Sequence, residues 1–409
     1  TIKTKFKLGG FQLMEKFQEE KQGGGHSNTP PANYKRKLFD NVVAEGIDTL
    51  KIGFVADLKE EFMEKLAKKK ELAQDHESDE IATIKVNHYE FKVNPTGSGN
   101  YTYVITNDLL YIAIIDRVKN DSYPNVMITM RSQFLWSEGV HSAYNKARNT
   151  LVDMSDSIVS EKVSRVDLCA DIAGQNIENK LSDLNIMKDF VTRAVNTSIY
   201  QQHRVNTGFR VGSGSSKVML RIYDKRQEIK YKDNKKIWFY DVWGLDKNSD
   251  IPVWRVEFQL NRKFFSDYMV PDTKTGELHT IETFNDLMFA LYDIWDYLVN
   301  DWFSVRKQDD SNTSRRTVYA FWKLLQTMDS FLAQTEKIGC IRRTYSRASS
   351  EELLINMQGF VTSLMAIWGL SNLDSSLKFI MNKLEAILRP RFKDDIKEKE
   401  YKYQGALVA

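Results

Sequence analysis

Three segments of this chain alternate between apolar and polar residues with a period of two, which is the period of a β-strand. They span residues 163–172, 217–225 and 253–261, and their even positions are mostly apolar. Their odd positions carry most of the charged residues, Arg165, Asp167, Asp171, Arg221, Lys225, Arg255 and Glu257, together with Tyr223. Such strands pack one face on a core and leave the other face open, as in antiparallel sheets. The pattern therefore predicts a sheet with one apolar face and one polar face.

Other segments extend this prediction in both directions along the chain. Five further strands are predicted at Ile47–Ala56, Ile84–Val93, Tyr101–Ile105, Leu109–Arg117 and Asn125–Arg131. Helices are predicted at Phe62–Leu72 and after an N-cap at Ser137. Beyond residue 280, long helices are predicted at Ile281–Phe303, Thr317–Phe331, Glu351–Leu370 and Leu377–Leu388. The fold class is thus α+β, an antiparallel-sheet domain with an all-helical C-terminal domain.

The length and composition of the chain indicate how many domains it has and in which cellular compartment it is expected. A chain of 409 residues is long enough for more than one domain. We expect a flexible basic arm at 1–45, a sheet domain at 46–265 and the helical domain at 266–409. Two cysteines cannot build a disulfide framework, no apolar run could cross a membrane, and no signal-peptide pattern opens the sequence. The expected location is the cytoplasm.

Charge is distributed unevenly along a nearly neutral chain. The formal net charge is only +3, from 58 basic and 55 acidic residues. Basic residues nevertheless cluster at 1–37, 201–240 and 311–350, and the middle cluster is interleaved with aromatic residues. Basic side chains bind phosphates and aromatic side chains stack on unpaired bases. These clusters are compatible with nucleic-acid binding, although ordinary solvated surfaces have the same composition.

The polar face brings acids from separate strands together if the three segments share one sheet. Asp167, Asp171 and Glu257 could then hold a hard divalent cation, Mg²⁺ or Mn²⁺, through oxygen ligands. Asp167 and Asp171 lie about 13 Å apart along one strand, so both are not expected to bind the same ion. Asp167 with Glu257 is the preferred pair. Solvated cross-strand ion pairs are the alternative explanation of the same pattern.

The amino-acid sequences of the three segments, and their order along the chain, resemble the motifs of one protein family. They read SRVDLCADI at 164–172, LRIYDKRQE at 220–228 and WRVEFQL at 254–260. This series resembles the trans-acting replication initiators of rolling-circle plasmids and the related relaxases of conjugative elements. The resemblance covers residues 45–265, which it marks as a catalytic DNA-nicking domain.

The resemblance implies a role for each matched residue. Tyr223 stands at the position of the nicking tyrosine, which becomes linked to the 5′ phosphate of the cut strand. Asp167, Asp171 and Glu257 match the acids around the metal. Arg221 and Lys225 are then expected to contact phosphate, and Glu228 to act as an auxiliary acid.

The implied partners are origin DNA, with a single-stranded nick site and flanking duplex, together with a host helicase and a second copy of the chain. No nucleotide cofactor and no membrane are expected. Two alternatives stay open, a relaxase with the same chemistry and a non-catalytic origin-binding protein. The competing class of nicking enzymes uses a His-hydrophobe-His pair. It is excluded, because no two of the six histidines lie closer than 12 residues.

Overall fold

The computed structural model divides the chain into two compact units, 1–342 and 343–409. The description below covers residues 41–75, 81–115, 123–174, 177, 181, 186–202, 205–231, 234–272, 275–329, 331–332, 341–342 and 350–388. The predicted basic arm lies outside the described residues except for its last five residues, which begin the first strand.

An eleven-stranded sheet is the centre of the first unit, and its strand order is β2-β3-β4-β5-β6-β1-β7-β12-β11-β10-β9. The strands of this sheet are β1 (Asn41–Leu58), β2 (Thr83–Val86), β3 (Tyr89–Val93), β4 (Tyr103–Thr106), β5 (Leu110–Ile114), β6 (Val126–Met130), β7 (Ser155–Ala173), β9 (Thr197–Gln202), β10 (Val205–Val211), β11 (Val218–Asp224) and β12 (Val253–Asn261). Every pairing in the sheet is antiparallel. The predicted α+β class with an antiparallel sheet is confirmed.

Five short strands complete the described β-structure outside this sheet or at its edge. Three of them, β13 (Tyr268–Pro271), β14 (Leu278–Thr280) and β16 (Ile341–Arg342), form a small sheet. The other two, β8 (Phe190–Thr192) and β15 (Phe303–Val305), pair with each other. The sequence analysis predicts none of these, because strands of two to four residues are too short to show a period.

Helices of the first unit connect and cover the strands. They are α1 (Glu60–Gln74), α2 (Ser132–Glu138), α3 (Val140–Met154), α4 (Ile186–Asp189), α5 (Lys225–Tyr231), a 3₁₀ helix (Asn234–Trp238), α6 (Phe239–Trp243), α7 (Arg262–Phe265), α8 (Phe284–Tyr297), a π-helical turn (Leu298–Trp302) and α9 (Ala320–Gln326). The prediction that Ser137 is an N-cap is wrong. Ser137 lies inside α2, and Gly139, with φ of 77°, joins α2 to α3.

The apolar core lies on one face of the large sheet. The even-numbered residues from Val166 to Ile172 in β7, from Val218 to Ile222 in β11 and from Trp254 to Leu260 in β12 are buried there, as the alternation predicts. Helix α8 contributes Leu287, Leu291 and Ile294 to the same core, and its Trp295 packs edge-on against Phe258 of β12. The sequence analysis places a domain boundary after residue 265. In the structure the first compact unit continues to Arg342.

The opposite face of the sheet is less open than the alternation predicts. Helix α6 and its surroundings bring Phe239, Tyr240 and Trp243 against Cys169 and Val253, which belong to the polar faces of β7 and β12. This second apolar cluster buries one end of the polar face. Period-two alternation identifies two faces but does not reveal what covers each of them.

The second unit contains two helices in its described part, α10 (Ser350–Ile367) and α11 (Leu373–Leu388). This agrees with the predicted helical character of the C-terminal region. In the part of the chain that the structure describes, no helix is both long and apolar enough to cross a membrane.

Glu45 on β1 gives a pH-dependent contribution to stability. Burial raises its pKa to about 7, although its carboxylate accepts a hydrogen bond from the backbone N–H of Leu332 at 3.0 Å. Because the pKa is higher in the folded state, the contribution is fully present below pH 4.5 and is lost as the pH rises through 7. Glu45→Gln keeps an acceptor without the charge. We expect it to raise the free energy of unfolding by roughly 2 kcal/mol near pH 8.

Urea unfolding of wild type and Glu45→Gln at acidic and alkaline pH checks this expectation. The two proteins should be nearly equal near pH 4. Glu90→Gln, at an exposed position of β3, serves as the control and should change stability little at either pH. An equal gain for Glu45→Gln at both pH values would contradict burial of the charge as the cause.

Candidate active site

The candidate site is built on three neighbouring strands, β7, β12 and β11, which are the three segments singled out in the sequence. In the register of β11 with β12, Arg221 faces Glu257 and Tyr223 faces Arg255. In the register of β12 with β7, Arg255 faces Asp171 and Gln259 faces Asp167. Facing residues of an antiparallel pair project from the same side of the sheet. The pairing therefore gathers the predicted acids, arginines and tyrosine on one face.

Glu257 is the central residue of the cluster around the tyrosine. Its Oε2 accepts a hydrogen bond from the Tyr223 hydroxyl at 2.8 Å, and its Oε1 accepts one from Arg221 Nη2. The same guanidinium nitrogen lies 3.4 Å from Asp167 Oδ2. Glu257 and Asp167 are both buried, whereas the Arg221 side chain is 35% exposed. The two carboxylates thus converge on one cationic nitrogen beside the phenol.

Asp167 has a second cationic partner. Arg165, two residues earlier on β7, donates to both of its oxygens, at 2.7 and 2.5 Å. Burial nevertheless raises the pKa of Asp167 to about 6, and the negative charge of Glu257 adds to this effect. Arg165 and Arg221 oppose the shift. Asp167 is therefore ionised at neutral pH, but its charge is poorly solvated and would be stabilised by additional positive charge.

Tyr223 is held as a neutral phenol. Burial raises its pKa well above the ordinary value, and the nearby charge of Glu257 acts in the same direction. Lys225 Nζ donates to the phenol oxygen at 3.3 Å. The hydroxyl therefore contacts both a carboxylate that can accept its proton and an amine that can stabilise its oxygen.

Lys225 differs from its predicted placement. The alternation places it on the polar face of a strand, but it begins helix α5 and is fully buried. Its amine forms an ion pair with Glu228 at 2.5 Å, and Lys236 approaches the same carboxylate at 3.4 Å. Burial lowers the pKa of Lys225, and the charge of Arg255 does the same. The turn into α5 thus brings Lys225 under the tyrosine instead of out toward solvent.

Asp171 lies in a separate buried ion network. Arg255 Nε and Nη2 donate to its two oxygens at 2.6 and 2.7 Å, and Trp243 Nε1 donates to Oδ2 at 2.7 Å. The remaining Arg255 nitrogen, Nη1, donates to Asp48 on β1 at 2.6 Å. Arg255 and Asp171 are fully buried. Of the three predicted acids, Asp167 and Glu257 meet beside the tyrosine, whereas Asp171 is engaged by this arginine.

Asp48 is a member of this network that the sequence analysis misses. It lies at an irregularity in the pairing of β1 with β7, between Ile47 and Thr49, which shifts the side-chain alternation of the strand. Burial alone would raise its pKa, but Arg255 and Lys225 hold the pKa well below its usual range. A lone acid inside an otherwise apolar strand was the signal available in the sequence.

Arg210 on β10 is a second residue that the sequence analysis does not single out. It faces Arg221 in the register of β10 with β11, so the two arginines are cross-strand neighbours on one side of the sheet. Its charge follows the alternation of β10, in which Phe209 and Val211 are buried. The same two-faced pattern, extended to this strand, would have identified it.

Comparisons with known proteins give similarities to solved structures only. No protein-family model matches the chain, and no curated protein does. Among solved structures, the chain is similar to a rolling circle replication initiator protein from Geobacillus stearothermophilus, with 17% sequence identity and a TM-score of 0.39. The similarity covers 70% of this chain and 96% of that one. At this level of identity it gives no information about the roles of individual side chains.

Proposed function

We propose that this chain is a rolling-circle replication initiator that nicks and rejoins origin DNA through a 5′-phosphotyrosine link. The observation that carries the proposal is the hydrogen bond from the Tyr223 hydroxyl to Glu257, at 2.8 Å, beside Arg221 and Asp167. A tyrosine can act as a covalent nucleophile when a positioned base takes its proton. The motif series around Tyr223 also supports this assignment.

The proposed reaction begins with the proton of Tyr223. Because its pKa is raised by burial, the phenol is protonated at neutral pH and is a weak nucleophile. Glu257 Oε2 takes the proton as the phenol oxygen attacks the scissile phosphorus. An O–P bond to Tyr223 forms and the P–O3′ bond breaks. The leaving 3′ oxygen takes a proton from solvent and becomes a free 3′-hydroxyl.

Rejoining follows from the same residues. The phosphotyrosine retains the energy of the phosphodiester, so a 3′-hydroxyl can attack it while Glu257 returns a proton to the phenol oxygen. Lys225 Nζ, 3.3 Å from that oxygen, stabilises negative charge on it in both directions. Arg221 lies beside Glu257 with a 35% exposed side chain, so it can contact an incoming phosphate. Glu228 positions Lys225 through their ion pair.

The two carboxylates beside Tyr223 fit Mg²⁺ or Mn²⁺. Asp167 and Glu257 already converge on a cationic group, the Arg221 guanidinium. In the part of the chain that the structure describes, no group of three or more His, Cys, Asp and Glu side chains could hold a metal. Mg²⁺ in phosphoryl-transfer sites is usually bound by one or two carboxylates, with substrate phosphate oxygens completing the shell. Asp167 and Glu257 would hold the ion, which when bound would polarise the scissile phosphate.

Covalent capture of DNA tests the proposal. Single-stranded probes tiled across the replicon that encodes the chain, labelled at either end, are incubated with the protein and Mg²⁺ or Mn²⁺. A denaturing gel should show the label of the 3′ segment, which carries the new 5′ phosphate, moving with the protein. Mass spectrometry of the digested adduct should place the link on the peptide that contains Tyr223. EDTA should prevent adduct formation, since it would remove the ion that Asp167 and Glu257 would hold to polarise the scissile phosphate.

Each alternative gives a different outcome. Retention of the other segment on the protein would contradict the 5′ link, and an adduct on another residue would contradict the role of Tyr223. Specific binding of a probe without any cleavage would favour a non-catalytic origin-binding protein. Adduct formation that is equal with and without EDTA would contradict the assignment of Asp167 and Glu257 to a metal.

A further inference from the structure

Tyr200, Gly208 and Tyr223 form one row across three neighbouring strands. Gly208 of β10 faces Tyr200 of β9 on one side and Tyr223 of β11 on the other. Facing residues share a side of the sheet, so both tyrosines project from the face that carries the candidate site. Neighbouring strands lie about 4.8 Å apart, which puts the two tyrosine Cα atoms about 10 Å apart. Gly208 is buried between them and adds no side chain to the row.

The backbone at Gly208 comes unusually close to the nucleophile strand. A Cβ atom built on Gly208 would lie 2.9 Å from the Ile222 carbonyl oxygen and 2.9 Å from Tyr223 Cβ. Any side chain here would therefore press on Tyr223. Glycine in a strand often marks a place where another backbone approaches closely, and here that backbone is β11. Tyr200, at the outer end of the row, is 45% exposed.

A positively charged residue, Arg210, lies next to this row of residues. Arg210 faces Ser198 and Arg221, one row away, and its guanidinium carbon is 6.0 Å from the centre of the Tyr200 ring. Its described hydrogen bond goes to Ser198 Oγ at 3.3 Å, and no acid among the described residues pairs with it. Within the described chain, the buried Nε atoms of Arg210 and Arg221 have no hydrogen-bond acceptor. These donors suit a phosphate group.

We propose that Tyr200 and Arg210 form a subsite for a nucleotide next to the scissile phosphate. An unpaired base stacks on the exposed side chain of Tyr200, and its phosphate accepts from Arg210. The occupant is single-stranded DNA, because a stacked base must be unpaired and Arg210, which has no acidic partner among the described residues, suits an anion. The inference rests on the proposed function and deepens it by adding a binding subsite to the nicking site.

Tyr200→Ala and Ile199→Ala make a matched pair of variants. The two residues are adjacent on β9 and have similar exposure, 45% and 50%, but successive residues of a strand project from opposite faces. Binding is measured by the fluorescence anisotropy of a fluorescein-labelled oligodeoxythymidylate in EDTA, on the full chain. Tyr200→Ala should weaken binding by about 5- to 100-fold, the value of one base–aromatic stack. Ile199→Ala should change it little, and Tyr200→Trp should restore it.

The role of Arg210 is read from salt dependence. Arg210→Gln should weaken binding and lower the slope of log K against log salt by about 0.7, the contribution of one phosphate contact on a single strand. Tyr200→Ala should leave that slope nearly unchanged. This difference separates the stacking contact from the ionic contact.

Several outcomes would overturn the subsite. One is unchanged binding by Tyr200→Ala, and another is an equal loss in Ile199→Ala, which would indicate loosening of the β9–β10 hairpin. A change of oligomeric state in Tyr200→Ala on size-exclusion chromatography would indicate that β9, the edge strand, pairs with a second copy instead. Because the assay measures binding without cleavage, its result is independent of covalent adduct formation. The subsite and the nicking function can therefore fail separately.

Discussion

Tyr223→Phe is expected to abolish strand cleavage while leaving the fold intact. The phenol oxygen is the proposed nucleophile, and the variant removes that atom without changing the ring that packs on β11. Loss of a catalytic nucleophile commonly costs enzymes several orders of magnitude, so we expect cleavage to fall by at least about 10³-fold. Relaxation of a supercoiled plasmid carrying the cognate origin, in Mg²⁺ or Mn²⁺, measures the effect.

The stability of this variant should change little. The hydroxyl donates to Glu257 at 2.8 Å and accepts from Lys225 at 3.3 Å, so its removal costs about 1 kcal/mol of unfolding free energy. Glu257 keeps its contact with Arg221, and Lys225 keeps its ion pair with Glu228. Binding of single-stranded DNA should therefore persist in Tyr223→Phe. Its thermal unfolding should stay close to that of the wild type.

Tyr240→Phe is the matched control for this experiment. Tyr240 is buried in α6, close in sequence to the site, and its hydroxyl accepts a hydrogen bond from Arg226 at 3.4 Å. Its removal should leave plasmid relaxation within a factor of a few of the wild type. Equal relaxation by Tyr223→Phe and wild type would show that another group is the nucleophile. Loss of relaxation in both variants would point to a general effect of losing a buried hydroxyl.

The sequence was sufficient to predict the part of the site that depends on strand geometry alone. Alternation in the three segments places Asp167, Arg221 and Glu257 on a common face, because side chains on a strand project to opposite sides in turn. The adjacency of the three strands needs tertiary pairing, and the structure supplies it in the order β7-β12-β11. The motif series and the period-two alternation together therefore predict which residues lie at the centre of the cluster.

The rest of the site depends on strand ends and on irregularities in strand pairing, which the period-two alternation of the sequence cannot show. Lys225 leaves the strand pattern because α5 begins there, and Asp48 reaches Arg255 from a strand more than 200 residues earlier. The sequence offers several arginines as partners for Asp171, and only the structure shows that the partner is Arg255. The row of Tyr200, Gly208 and Tyr223 likewise appears only when strand register is known.

Arg255→Met is expected to destabilise the first unit strongly. Arg255 is fully buried, donates three hydrogen bonds at 2.6–2.7 Å to Asp171 and Asp48, and lies 4.4 Å from the centre of the Phe239 ring. Methionine fills a similar volume but leaves two buried carboxylates without their cation. Removing one partner of a buried ion pair typically costs about 3–5 kcal/mol, because the remaining charge is not compensated. Urea unfolding measures the loss of unfolding free energy, with the fluorescence of Trp136 and Trp243, which lie beside this network, as the signal.

The pH dependence of this variant distinguishes uncompensated charge from poor packing. Burial raises the pKa of Asp48 and Arg255 lowers it, so the folded-state pKa of Asp48 should rise when Arg255 is removed. Protonation of Asp48 then favours the folded state, so the deficit of Arg255→Met should shrink as the pH falls toward about 4. The triple variant Arg255→Met/Asp48→Asn/Asp171→Asn removes both charges and should recover part of the loss near pH 7. A deficit that is constant with pH and unchanged in the triple variant would assign the stabilisation to the packing of Arg255 against Phe239, and not to its charge.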